Sequence, residues 1–380
     1  MRVAHVLTYV SQDAAYGGPL AVASVHCREL ARRGHEVELF AGWDGVAVLD
    51  VPGVRTRLYK VRRVLPIGFS GLVAPRLVLA VLRRAKDLDV VHVHLGRDLV
   101  TLLTALLITF VRDGPRLYVQ THGMVAPDRR LSARIADVAV RRVLRRSRGV
   151  FALHLREAAR VGQVADAPVP VTVLPNGVPL QKYGAGPSEG VPEVLFMARL
   201  HPRKRVMVFA EAARLVLASD VQARFGVVGP DEGELPALRA FCADHDLQDA
   251  VVYEGSVPPG RGPERLSRAD LYVLPSLREP FPMTVLEALS VGVPSVVSAD
   301  CQVAEELVAN GGVETFDGGA EELSEVLRSL LLDPTRRARL AREALRSIAT
   351  TFGITTVVDK LEQCYSGAGA DRPLRVEERA

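Results

Sequence analysis

Four short segments of this 380-residue chain carry side chains whose types and spacing could do chemistry. The first, Arg199-Leu-His-Pro-Arg-Lys204, follows directly on an apolar run, Val194–Met197. Two cations at the carboxyl end of a strand suit the neutralisation of phosphate oxygens. Lysine occurs at only five positions (60, 86, 182, 204 and 360), yet Lys204 sits between Arg203 and Arg205. A compact ammonium in an arginine-built run points to a demand that a guanidinium does not meet; the plainer reading is a solvated basic loop. The second segment is Glu279-Pro-Phe-Pro-Met-Thr-Val-Leu-Glu287. Glu287 falls in the early turns of a helix, where a carboxylate can accept hydrogen bonds from vicinal ribose hydroxyls. Glu279 falls in the loop before it and could contact a sugar, or simply pair with Arg278 at the surface. The third, Thr121-His122-Gly123, ends the run Leu117–Gln120 and places an imidazole at a strand's carboxyl end beside a glycine. His92 and His94, which alternate in Asp89–His94, read instead as strand-end packing. The fourth is Tyr16-Gly17-Gly18-Pro19, where two glycines at a helix N-terminus allow an anion to approach backbone amides, or form an ordinary tight turn.

The elements that must carry these residues follow from the hydrophobic pattern. Strand-like runs at Val3–Tyr9, His35–Ala41, Asp89–His94, Leu117–Gln120, Val150–Leu153 and Val171–Leu174 alternate with helical periodicity over 19–33, 75–86, 98–111 and 130–147. A second series has strands at Val194–Met197, Ala223–Val228, Val251–Tyr253, Leu271–Leu274 and Ser295–Ser298. Its helices span 205–218, 233–245, 263–268, 283–290, 302–309, 320–331 and 334–349. Two sets of βαβα predict an α/β protein with two doubly wound parallel sheets. The stretch Gly184–Pro192 has linker composition, so the expected domains are 1–183 and 184–352, with a flexible tail over 371–380.

Composition narrows the classes. Cys27, Cys242, Cys301 and Cys364 are far apart with no CxxC pair, which argues against a zinc site or a disulfide scaffold and for a reducing compartment. The longest apolar stretch, Leu99–Val111, is 13 residues with three threonines, short of the roughly 20 a membrane span needs. With no signal-peptide core evident, the expected location is cytoplasmic. Residues 1–180 hold 26 Lys and Arg against 14 Asp and Glu, whereas 181–380 hold 22 against 30. The halves therefore suit different partners. Nucleic acid is not expected, because no aromatics interleave the arginine-rich stretch 129–148.

Taken in order, these features resemble the retaining family 4 glycosyltransferases. The resemblance runs through Gly17-Gly18, Arg33-Gly34-His35-Glu36-Val37, Asp89-Val-Val-His-Val-His94 and His122-Gly123. It continues with Pro175-Asn176-Gly177-Val178, Arg199…Lys204, Val228-Gly229-Pro230 and Glu279…Glu287 with Ala288, Gly292 and Pro294. It implies the GT-B fold, two Rossmann-like domains facing across a cleft, with a final helix near 353–366 crossing back to the N-terminal domain. The implied activity is metal-independent, hexosyltransferase-type transfer of a sugar from a nucleoside diphosphate sugar to a hydroxyl acceptor, with retention at the anomeric carbon. UDP is the favoured nucleotide because it is the commonest in the family, and no cofactor beyond this co-substrate is expected. Arg199 and Lys204 would neutralise the departing diphosphate, and Gly17-Gly18 would close over the phosphates. Glu287 would hold the ribose, while Glu279 and His122 would contact the donor sugar. Phe281, Met283 and Thr284 complete the donor set, with the amides of Met283 and Thr284 offered to the donor. A sugar-nucleotide epimerase or hydrolase, or a non-catalytic nucleotide-sugar-binding protein, are the alternatives.

Three positions depart from the family pattern. Glu279-Pro280-Phe281-Pro282 replaces the usual Glu-Gly-Phe-Gly, and proline has no N–H to offer a ligand. Asp300-Cys-Gln-Val-Ala-Glu305 lacks the common Gly-Gly, and Pro179 stands where aspartate is frequent. In such enzymes the N-terminal domain binds the acceptor, and here eight arginines fall between 129 and 148. Ala133, Ile135, Val138, Val140 and Leu144 thread between them, so helix 130–147 reads as basic and amphipathic. It suits an anionic membrane surface at the inner face or a lipid-linked acceptor, or else is a solvated face. The expected acceptors are a cell-envelope glycolipid, a polysaccharide precursor or a secondary metabolite.

Overall fold

The computed structural model describes residues 1–11, 17–64, 68–181, 190–258 and 260–367. Tyr16, the expected 183/184 boundary, most of the Gly184–Pro192 linker and the expected tail 371–380 lie outside them. The chain divides into two compact units, Met1–Gly177 with the chain from Ile354, and Val178–Gly353.

The first unit contains β1 (Arg2–Val10), β2 (Glu36–Trp43), β3 (Arg55–Lys60), β4 (Arg62–Arg63), β5 (Leu72–Val73), β6 (Val90–His94), β7 (Arg116–Gln120), β8 (Gly149–Ala152) and β9 (Val171–Val173). Seven of these form a parallel sheet in the order β3-β2-β1-β6-β7-β8-β9, and β4 and β5 make a separate antiparallel pair. All five residues of β6 are buried, as a central parallel strand covered by helices on both faces requires. The edge strand β3 is half-exposed, and its Arg57 reaches across to Glu38 of β2.

The helix Ile354–Ser366 belongs to this unit. Val357, Val358 and Leu361 are fully buried in a cluster with Val3, Leu7, Leu30 and Leu39. Burial of each is worth roughly 1.5–3 kcal/mol, more than a part-exposed ion pair contributes. The apolar face therefore holds the helix, and Arg33, bonded to Asp359, Glu362 and the Thr355 carbonyl, fixes its register.

The second unit contains β10 (Glu193–Met197), β11 (Arg224–Val228), β12 (Val251–Gly255), β13 (Leu271–Leu274), β14 (Ser295–Ser298) and β15 (Val313–Phe316). They form one parallel sheet in the order β12-β11-β10-β13-β14-β15. Each main sheet reverses its winding once, between β1 and β6 and between β10 and β13. Doubly wound sheets bind ligands at the carboxyl ends of the strands flanking that reversal.

The basic helix spans Leu131–Arg146, and the apolar residues threaded between its arginines divide between two faces. Ala133, Val140 and Leu144 face the core, whereas Ile135 and Val138, with Leu131, point outward and are 66–71% exposed. Several arginines already have partners. Arg141 and Arg145 donate to the carbonyls of Val164 and Ala165, and Arg142 lies 4.1 Å from the Phe110 ring centre.

Candidate active site

In the second unit, the loops after β10 and β13 meet. The Leu277 amide donates to the Arg203 carbonyl, and Lys204 Nζ lies 2.6 Å from Glu279 Oε2. Both side chains of that pair are nearly buried. Lys204 is presented by a short 3₁₀ turn, Pro202–Lys204, which His201 caps by accepting from the Arg203 amide. Glu279 therefore does not pair with Arg278; the Arg278 amide donates to Asp300 instead, at a left-handed backbone angle of 49°. Arg199 does not join the pair. It is more than half exposed and holds Glu232 through two bonds of 2.7 and 3.0 Å.

The β10 loop is also pinned from the β11 side. The Leu200 amide donates to the Pro230 carbonyl and the Glu232 amide returns a bond to Leu200. Gly229 makes this approach possible: a Cβ there would lie 1.9 Å from the Ala198 carbonyl oxygen.

The helix Met283–Ser290 follows β13 without a side-chain cap at its N-terminus. The Tyr272 hydroxyl of β13 reaches both the Met197 carbonyl at 3.0 Å and Thr284 Oγ1 at 2.9 Å, tying this helix to the end of β10. Phe281 is buried, whereas Met283 and Thr284 are half-buried. The Glu287 side chain has no hydrogen-bond partner among the described residues, and burial pushes its carboxyl up to about 7. Beside it, a Cβ on Gly262 would stand 3.2 Å from Glu287 Oε2. The sequence reading passed over Gly262, because nothing in its neighbourhood marks it apart from other loop glycines.

In the first unit, Gly17 and Gly18 open the helix Gly17–Arg32, and a Cβ on Gly18 would meet nothing within 4 Å among the described residues. His122 and Gly123 both take left-handed angles, 49° and 75°, directly after β7. A non-glycine residue held there is strained, and such strain clusters at functional sites. Glu157 fastens this turn: buried in the first turn of the helix Leu155–Ala165, it accepts from Thr121 Oγ1 and from the amides of Gly123 and Leu153. The sequence reading missed both this helix and Glu157; the spacing of His154, which accepts from the Glu157 amide three residues on, was the available signal. His122 Nε2 lies 2.7 Å from His94 Nδ1, and burial, aided by His26, holds His122 down at about 3. His92 and His94 are buried strand-end residues, but they are also bonded, His92 to the Tyr365 hydroxyl and His94 to His5 and His122. Among the described residues, no group of three or more His, Cys, Asp or Glu could hold a metal ion, and no helix is long and apolar enough to cross a membrane.

Comparison with known proteins bears on what these arrangements serve. The family model described as Glycosyltransferase Family 4 matches residues 16–182, and that described as Glycosyl transferases group 1 matches residues 181–347. An Escherichia coli UDP-Gal:alpha-D-GlcNAc-diphosphoundecaprenol alpha-1,3-galactosyltransferase is 28% identical over 221 residues, 52% of this chain and 54% of that protein. A D-inositol 3-phosphate glycosyltransferase of Thermomonospora curvata is 30% identical over 250 residues, 61% of this chain and 57% of that protein. The chain thus spans about half the length of the curated relatives it matches. Among solved structures, Anabaena HepE in complex with UDP superposes with a TM-score of 0.74 at 18% identity, covering 97% of this chain and all of that one. A glycosyltransferase from Rickettsia africae gives 0.74 at 14%, covering 98% and 99%. At these identities the likeness is one of fold, the GT-B fold of two parallel-sheet α/β units.

Proposed function

Because this chain belongs to the family 4 glycosyltransferases, we propose that it transfers a sugar from a nucleoside diphosphate sugar to a hydroxyl acceptor with retention at the anomeric carbon. The observation that carries this reading is the set of residues at the winding reversal of the second sheet. Lys204 and Glu279 form a nearly buried pair there, and Glu287, without a hydrogen-bond partner among the described residues, lies in the helix that follows Glu279. The pair keeps either charge from standing bare in a poorly solvated place. A diphosphate arriving at Lys204 competes for the ammonium and frees Glu279 for the donor sugar. Lys204 then faces charge that grows as the leaving diphosphate departs, the situation in which a fixed cation lowers a barrier. Arg199, earlier on the same loop as Lys204, supplies a second cation when it lets go of Glu232. Glu287 accepts from the ribose hydroxyls, and the amides and hydroxyl at Met283 and Thr284 give the donor polar contacts that Pro280 and Pro282 cannot. His122 is assigned to the donor sugar, and the Gly17–Gly18 helix start to the phosphates. No covalent nucleophile is assigned, which agrees with displacement on one face of the sugar, and the residues assigned need no metal.

UDP is the proposed nucleotide, supported by HepE, which was solved with UDP. The outward Leu131, Ile135 and Val138, flanked by Arg129, Arg130, Arg134 and Arg146, support a peripheral contact with an anionic lipid surface on the cytoplasmic side. A lipid-linked or cell-envelope acceptor fits that contact.

A thermal-shift panel of UDP, GDP, ADP and TDP, each with and without attached sugars, tests the donor assignment. One base is expected to raise the melting temperature. Lys204→Ala is expected to lower kcat/KM by on the order of a hundredfold, the usual cost of a lost transition-state charge contact, with the fold retained. A well-folded Lys204→Ala protein of full activity would remove the phosphate assignment.

A further inference from the structure

Five of the nine histidines in the sequence lie together in the first unit. His5 is on β1, His26 on the helix Gly17–Arg32, His92 and His94 on β6, and His122 in the turn after β7. The parallel register that sets His5 opposite His92 brings the strand residues into one layer, with neighbouring ring centres 4.6 to 5.3 Å apart. The rings meet pairwise. His5 Nδ1 is 3.1 Å from His94 Nε2, and His94 Nδ1 is 2.7 Å from His122 Nε2. The result is a chain of three imidazoles that ends at the residue assigned to the donor sugar.

Proton accounting along this chain has few solutions. Burial holds each of the three rings far below the usual histidine range, so each carries one N–H. Each N···N contact must hold one proton. Two arrangements meet both conditions, and they differ at the two ends. In the first, His122 donates toward His94 and His94 toward His5, which leaves His5 Nε2 as an N–H. His5 Nε2 is buried and has no hydrogen-bond partner among the described residues. In the second, every bond points the other way, and His5 Nε2 is a bare lone pair. A buried N–H without an acceptor is the rarer and costlier defect, so the second arrangement prevails. It makes His122 Nε2 an acceptor and places its proton on Nδ1.

We propose that His5 and His94 are positioning residues that hold His122 with Nδ1 protonated, so that it meets the donor sugar as a hydrogen-bond donor to a ring or hydroxyl oxygen and never as a base. The ligand's identity rests on the proposed transferase reading; the tautomer does not. His122 has no further bond at Nδ1 among the described residues, and the Glu157-held turn fixes its backbone on the other side.

The test is a long-range proton–nitrogen spectrum of the full chain labelled with ¹⁵N-histidine, recorded without ligand at neutral pH. His122 resonances are assigned by their loss in His122→Gln. Wild type is expected to show His122 protonated at Nδ1 and bare at Nε2. His94→Asn puts an amide donor about where Nδ1 stood, and is expected to keep that pattern. His94→Phe preserves a flat ring without a donor, and is expected to release His122 from its single tautomer into a mixture of Nδ1- and Nε2-protonated forms. A wild-type His122 protonated at Nε2 overturns the proposal outright. A His94→Phe spectrum unchanged at His122 overturns the role of His94. Because no ligand is present, the spectrum is independent of the nucleotide panel, and the failure of one is not the failure of the other.

Discussion

At Glu287 burial and chemistry oppose each other. Burial lifts its carboxyl to about 7, yet only the ionised form can accept from two ribose hydroxyls at once. A ligand that prefers the ionised form binds more tightly as pH rises through that value and levels off above it. The affinity for UDP is therefore expected to weaken by several-fold from pH 8 to pH 6, while Glu287→Gln binds more weakly but with no such slope. Calorimetric titrations at three pH values decide it, and an equal slope in both proteins would rule the ribose role out. The chemical identity of Lys204, Glu279 and Glu287 was legible from residue type and spacing. Their pairing was not. Lys204 and Glu279 are 75 positions apart, and Arg199 turns to Glu232, 33 positions on. Only the folded sheet decides which carboxylate a cation reaches. Glu157 shows the same limit, since its three donors come from two separate loops.

The loops at the carboxyl ends of β10, β11 and β13 behave as one piece, because backbone bonds at Leu200, Glu232 and Leu277 link them. Gly229 is the point where that piece is tightest. Gly229→Ala must move the Ala198 carbonyl and also strain a backbone angle of 143°. The expected result is a melting temperature lower by about 5 °C or more and UDP affinity reduced at least tenfold, read by scanning calorimetry and titration. Unchanged affinity in a destabilised protein would show that the Arg199 loop does not depend on this approach. Central strands such as β6 and β13 were plain in the sequence because burial on both faces leaves a short run with no charged residue, broken in β6 only by the two histidines. The edge strands β3 and β15 were not, since their half-exposed residues mix charge with apolar side chains. Helix boundaries followed the periodicity, but the direction each face of Leu131–Arg146 takes depends on neighbours that periodicity does not contain.

Across the whole molecule, the buried imidazoles are confined to one unit. His5 and His122 are held at about 3 and His26 at about 4, chiefly by burial, with His92 and His94 also well down. All are neutral in both folded and unfolded chains above about pH 7, and contribute no pH dependence there. Below about 6.5 the unfolded chain takes up protons that the folded one refuses, so stability falls by about 1.4 kcal/mol per pH unit for each such group. The first unit is therefore expected to open in acid before the second, which hydrogen exchange at pH 7 and pH 5 would reveal. His26→Leu, which removes a ring with no partner at either nitrogen among the described residues, is expected to narrow the gap at pH 5. Equal acid sensitivity of both units would refute this. The doubly wound form of each unit was legible from the alternation of strands and helices. The route of the chain has its own consequence. It leaves the first unit at Gly177 and rejoins it at Ile354. On the ribosome the unit begun first is thus the one finished last: the second has all its strands while the residues that cover Val3, Leu7 and Leu39 are still unmade. For that interval the nascent chain offers an open apolar face to chaperones and proteases, closed only when Val357, Leu361 and Tyr365 emerge.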